Sequence, residues 1–260
     1  MCEFLGISRS LVYYKLRPKQ PDVSLDNLII RVFRESWKTY GSRKIKIELA
    51  KQGYVVSRRK IRRVMAKYQL ISQYSVKKYK KPKSPTNDAM IPNVVDRSFS
   101  NRRLLEVVIS DLTYVRVSDY WAYVCLIIDL FNREIVGFSV SNHKDALMVE
   151  KAFSTIKDDL DNIDIFHSDR GSEFDNKLID DILTKHSIRR SLSRKGNPYD
   201  NAVAEATFKI FKTEFCFNRK FSSLHQLELD LFDYINWYNN FRIHGSLGYL
   251  TPINYKLLHI

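Results

Sequence analysis

Cysteine is scarce in this chain of 260 residues, and Cys2, Cys125 and Cys216 form an odd set without C-x-x-C spacing. That excludes a disulfide-built fold and reads as free thiols in a reducing compartment. Histidine is absent before His143, so the front of the chain has no Cys/His zinc knuckle. Apolar runs of the roughly 18 residues that span a bilayer are missing. The first residues also lack the apolar core of a signal peptide, so the expected location is cytoplasmic. Acid is scarce in one part only: residues 1–83 hold 22 Lys/Arg against 5 Asp/Glu, and the remainder holds 21 against 24. The net charge of +14 therefore comes from a strongly basic front joined to a near-neutral back. Such a front attracts a polyanion, and with a membrane disfavoured the expected one is nucleic acid.

Two stretches of the front carry helix-turn-helix spacing. In residues 1–20, Gly6 is a turn, Ser8 an N-cap, and Leu11, Tyr14 and Leu16 an inward face. That is the second half of such a unit, with its front helix missing or cut short; an amphipathic terminal helix fits the pattern equally. Residues 26–73 give a fuller case, with Leu28, Ile29, Val32 and Phe33 at helical spacing. Ser42 is expected to cap a helix ending at Gly53, and Ser57 to cap one with Ile61, Val64, Met65 and Tyr68 inward. The outer face of the latter carries Arg58, Arg59, Arg62, Arg63 and Lys67. Charge on a helix face is usually only solvated. Five cations without an anion repel one another, and the pattern fits a recognition helix in the major groove. Residues 74–101 form a basic, proline-broken linker suited to lying along phosphates.

The pattern changes to β at Leu104. Strands are expected over 104–117, 121–130 and 134–140, then a helix over 146–160 and a short strand ending at Asp169. A helix over 176–185, a strand over 188–192 and helices over 201–217 and 223–239 complete residues 102–260. This is an α/β order, that of a ribonuclease-H-like fold behind an all-α helix-turn-helix region.

Three carboxylates stand out. Asp111 interrupts an apolar strand, and Asp169 ends a strand at the turn His167-Ser168-Asp169-Arg170-Gly171. Glu205 opens a helix after Asn197-Pro198-Tyr199-Asp200, where Asp200 reads as an N-cap. On that helix Lys209 and Lys212 follow Glu205 on one face, beside a stripe of Phe208, Phe211 and Phe215. Each feature has an ordinary reading: turns favour Ser-Asp-Arg-Gly, and Glu205–Lys209 is a common helix pair. Together they suggest that the three carboxylates converge to hold two magnesium ions, with the lysines gripping the flanking phosphates. Asp129, His167, Arg242 and His244 are weaker candidates, and Trp121, Tyr123 and Trp237 are expected core aromatics.

Asp111-Leu112-Thr113-Tyr114, then His167 to Phe174, then Asn197 to Glu205 with Lys212 seven residues on, resembles the insertion-sequence DDE transposases. Their signature is D, D(35)E with Lys or Arg at plus seven, and 35 residues separate Asp169 from Glu205 here. The close Trp237 to Pro252 also resembles these proteins, most of all the OrfB half of elements whose transposase comes from two overlapping frames. The resemblance covers about residues 40–255. It implies a retroviral-integrase-like core with Asp111, Asp169 and Glu205 as catalytic, metal-binding residues for DNA cleavage and strand transfer. It further implies two Mg²⁺ ions (Mn²⁺ as substitute), homo-oligomers bridging element ends and target, an OrfA partner or OrfAB fusion, and a bacterial, nucleoid-associated location. A DNA-binding remnant or inhibitor of transposition is the alternative. A retroviral integrase proper is disfavoured by the missing His/Cys site.

Overall fold

The computed structural model describes residues 2–8, 23–75, 102–193, 202–217 and 219–260. Gly6 does make a turn, at φ +61°, whereas Leu11, Tyr14, Leu16, the linker at 76–100 and Asp200 lie outside the described residues. The front is a three-helix unit: α1 (Val23–Glu35), α2 (Ser42–Lys51) and α3 (Arg58–Lys67). Ile29, Val32, Phe33, Ile45, Leu49, Ile61 and Val64 meet at its centre. Ser57 caps α3 as expected, its hydroxyl accepting from Lys60 N at 3.2 Å. Ser42 does not cap α2. It is the first helical residue, and extended Gly41 stands at the N-cap without a side-chain bond. Beyond the C-cap of α2, Gly53 at φ +84° turns the chain where a Cβ would be strained.

The back is built on a sheet, and the described strands run in the order β3-β2-β1-β4-β5. These are β1 (Val107–Val117), β2 (Tyr120–Asp129), β3 (Ile135–Ser141), β4 (Ile165–Ser168) and β5 (Arg189–Leu192). The first three form an antiparallel meander, and β4 and β5 add in parallel. Central β2 is apolar on both faces because both are covered. Val124, Leu126 and Ile128 face one core, and Cys125 and Ile127 face the other. The second core is closed by α4 (Ala146–Ser154) and α5 (Lys177–Lys185). The first is closed by α6 (Ala202–Phe211) and α7 (Leu224–Asn240). A last helix, α8 (Pro252–His259), starts from the Thr251 cap with Pro252 in its first turn.

Two helices differ from the periodic pattern for local reasons. The helix expected over 146–160 stops at Ser154, where the Thr155 hydroxyl accepts from Phe138 N at 2.9 Å and ties the chain to β3. The helix expected over 201–217 is α-helical only to Phe211. Lys212–Cys216 then widens to a π-turn, with the Thr213 hydroxyl bonded back to Lys209 O. Such turns insert a residue and re-aim the side chains that follow. Here Glu214 is buried, where it accepts from Arg242 Nε at 2.8 Å, Tyr74 OH at 2.5 Å and Tyr234 OH at 3.2 Å.

That cluster joins front and back. Tyr40 OH accepts from Ile243 N at 2.8 Å, and Trp37 stacks on Trp237 at 5.3 Å between centroids. The apolar core of α1–α3 is continuous with that of α6 and α7. Of the two roles open to Arg242 and His244, ordering the tail or meeting phosphates, burial favours the first.

Candidate active site

The strand register brings the first two carboxylates together. In the parallel β1–β4 pair, Ile109 stands opposite His167. Two residues further along each strand are Asp111 and Asp169. Period two keeps Asp111 on the face of Ile109 within β1, and Asp169 is the first residue past β4, where the β1–β4 pairing stops. Both are part-buried, and Asp111 Oδ1 accepts from Leu112 N at 2.8 Å. Asp169 Oδ1 accepts from Gly171 N at 3.0 Å, so the turn holds its carboxylate locally.

Burial first, and the Asp169 charge second, push the Asp111 carboxyl up to about 7. Lys212 opposes that rise and Glu173 adds to it, so both lie within electrostatic reach. Glu173 is a buried acid of the same turn, paired with Lys144 Nζ at 3.0 Å. Gly171 permits this: a Cβ there would run into the Glu173 carboxylate. Sequence reasoning passed over Glu173 as part of a turn, although its place two residues after a glycine was the available signal. Lys144 had none.

Glu205 is not brought into this pair. It stands exposed in the first turn of α6. Among the described residues no group of three or more His, Cys, Asp or Glu side chains is arranged to hold a metal ion. Lys209 is exposed on α6, and Lys212 opens the π-turn with its Nζ 6.0 Å from the centre of the Tyr114 ring. Phe208, Phe211 and Phe215 form the expected buried stripe.

The other candidates resolve into structural roles. Asp129 is fully buried and accepts from Leu105 N and Phe131 N, and burial pushes its carboxyl up to about 6. His167 Nδ1 lies 2.9 Å from Ser191 Oγ on the neighbouring strand. Trp237 is buried and Tyr123 half-buried, but Trp121 is 46% exposed, which corrects its expected core role. On α3, Arg58, Arg59, Arg62 and Arg63 are exposed, while Lys67 is bonded to buried Asp26 at 2.9 Å. The helix therefore presents four outward arginines, while exposed Lys67 is paired with an acid of α1.

Fold and site together define a class: an integrase-type core with one carboxylate within β1 and another just past the end of neighbouring β4, behind a three-helix unit. The Integrase core domain family matches residues 102–198, a second Integrase core domain family matches 205–258, and the HTH-like domain family matches 21–78. The transposase InsK of insertion sequence element IS150 from Escherichia coli (strain K12) is 32% identical, over 96% of this chain and 90% of its own length. The transposase of IS904 from Lactococcus lactis is 29% identical over 92% of this chain and 97% of its own. The HTLV-2 integrase catalytic core domain, solved with magnesium, aligns with 64% of this chain at 15% identity and a TM-score of 0.46, over 98% of its own length. The chain belongs to the insertion-sequence transposases built on an integrase core.

Proposed function

We propose that the chain cuts and joins DNA as a DDE-type transposase, with Asp111, Asp169 and Glu205 as its catalytic carboxylates. The observation that supports this most directly is the β1–β4 register, which sets Asp111 beside Asp169 at the end of the parallel pair. Their donor set fits a hard divalent cation, since both offer carboxylate oxygens. The environment that raises the Asp111 carboxyl is one that a nearby cation reverses. Magnesium, or manganese in its place, would supply positive charge for the attacking and leaving oxygens of a phosphodiester. Two ions are proposed, with Glu205, which stands apart from the pair in this structure, as the expected third carboxylate ligand.

The residues of the chain have their own work. Lys212, near Asp111, would neutralise a phosphate flanking the reacting bond, and Lys209 the next one along. Arg58, Arg59, Arg62 and Arg63 would hold the duplex by its phosphates and lay α3 along the major groove. With water as attacking group the product is a cleaved strand; with a DNA 3′-OH it is a joined one. Element ends and target are thus the proposed DNA partners, bridged by a homo-oligomer, with an OrfA product or OrfAB fusion as a further partner. No described helix is long and apolar enough to cross a membrane. A cytoplasmic, nucleoid-associated place follows from the proposed substrate.

The test uses a labelled duplex ending in the element's terminal repeat, with Mg²⁺ or EDTA, scored for cut and joined strands. Asp111→Asn, Asp169→Asn and Glu205→Gln should each lose both products while DNA affinity stays within about twofold, since affinity comes mainly from basic phosphate contacts. Activity surviving in any of the three would remove that residue from the site. Binding without any product in the unaltered chain would leave an inhibitor-like remnant or an enzyme that needs its partner half, and adding the OrfA product separates the two.

A further inference from the structure

Strand β4 pairs with β1 only over Val107–Ile109, so among the described residues no named strand lies beside the outer half of β1 on that side. The π-turn and the segment after it pass along that edge, and Phe221 bridges to Val117. Between them is a cavity of about 500 Å³, lined by Tyr114, Arg116, Trp121, Lys212, Phe217 and Arg219, among others. Its volume falls within the roughly 300–1,000 Å³ usual for small-ligand sites. It adjoins the carboxylate pair through Lys212, which bears on Asp111 and lies 6.0 Å from the centre of the Tyr114 ring.

The lining has a consistent character. Tyr114, Trp121 and Phe217 are each close to half exposed. The Tyr114 and Trp121 rings meet edge-on at 5.1 Å, and the Arg116 guanidinium lies 5.4 Å from the centre of the Trp121 ring. The lining carries three cations and no carboxylate. Arg219 serves as a wall, stacked 4.2 Å over Trp37, which leaves Arg116 and Lys212 nearer the aromatic rings.

The geometry points to a binding site for an unpaired nucleotide of the DNA, with its base against Tyr114 and Trp121 and its phosphate between Lys212 and Arg116. Aromatic faces interleaved with cations bind bases taken out of a stack. A paired duplex hides its base faces and cannot enter a concave pocket of this kind. The absence of lining carboxylates disfavours a cationic peptide. This inference rests on the reading of the chain as a DNA-processing enzyme, and it assigns the pocket the strand that must be unpaired near the reacting bond.

The test is a titration of the full chain in EDTA, so that no catalysis is needed. The probes are a blunt duplex and the same duplex with a short single-stranded overhang carrying a fluorescent adenine analogue. The overhang should bind about tenfold more tightly than the blunt end, with the analogue quenched by stacking. Trp121→Ala and Tyr114→Ala should erase the preference and the quenching while leaving blunt-duplex affinity alone; Trp121→Phe should keep most of both. Equal affinity for the two probes in the unaltered chain, or a preference that survives in both alanine variants, would overturn the site. Retained overhang preference together with failure to join strands in magnesium, with the OrfA product supplied, would overturn the catalytic reading and leave the pocket standing.

Discussion

A buried guanidinium is costly unless its donors are answered, and Arg242 is answered by Glu214 through Nε at 2.8 Å and Nη2 at 2.9 Å. Its Nη1 lies 3.2 Å from His244 Nε2, which accepts that bond only when the imidazole is neutral. Burial first, then the charges of Arg242 and Lys44, hold the His244 ring down at about 2 against an ordinary 6.5. Arg133 also bears on the ring in the same direction, and a bond to the Tyr238 backbone opposes them. The unfolded chain therefore binds a proton that the folded chain refuses. Stability from this group is full above pH 6.5 and falls as the pH drops from there toward 2. The raised carboxyls of Asp129 and Asp111 act in the opposite sense, so the informative quantity is a difference. Urea unfolding of the unaltered chain and of His244→Gln, compared at pH 7.5 and 5, should show a smaller loss in the variant. Equal losses would mean that His244 is not held neutral. The role of these residues was hidden in the sequence. Glu214 lies between Thr213 and Phe215 on an amphipathic helix and reads as solvated, and its partner Arg242 is 28 positions away. Trp121 was misread for a related reason. Trp121 shares the face of Cys125 and Ile127 on β2, and how far the helices α4 and α5 reach over that face is not carried by local pattern.

At the scale of elements, periodicity and caps carried most of the fold. Ser57, Asn176 and Ser223 each cap the helix that was expected to begin beside them. Helix ends were less legible where a tertiary bond decides them, as at Thr155, and the π-turn after Phe211 has no periodic signature of its own. The Asp111–Asp169 pairing was half legible. The strand and turn around each were visible, but their shared register exists only once β4 is laid beside β1. Helix α3 gives a prediction at this scale. Replacing Arg58, Arg59, Arg62 and Arg63 with glutamine should weaken DNA binding at all sequences and flatten its salt dependence. Each lost phosphate contact should lower the log–log slope by about 0.9. Lys67→Gln should change that slope little, since Lys67 is already bonded to Asp26. An unchanged slope in the quadruple variant would detach α3 from DNA.

At the scale of the whole molecule, the composition suggested a basic module joined to a near-neutral one, whereas the folded chain has a continuous core reaching from α1–α3 to α6 and α7. The Trp37–Trp237 stack and the Tyr40 bond to Ile243 N fasten the same join. The separation between the arginines of α3 and the Asp111–Asp169 pair is therefore set by packed side chains rather than by a tether. A molecule built this way works as a caliper. If one jaw rests on the recognised sequence, the other reaches the backbone at a fixed number of base pairs. Inserting about five base pairs between recognised sequence and reacting bond moves that bond to the far side of the duplex, because B-DNA turns once in about 10 base pairs. Joining should then fail while binding persists, and joining should return when the insertion reaches a full turn only if the protein can stretch to it. Undiminished joining at the half-turn insertion would mean that the jaws are not rigidly set.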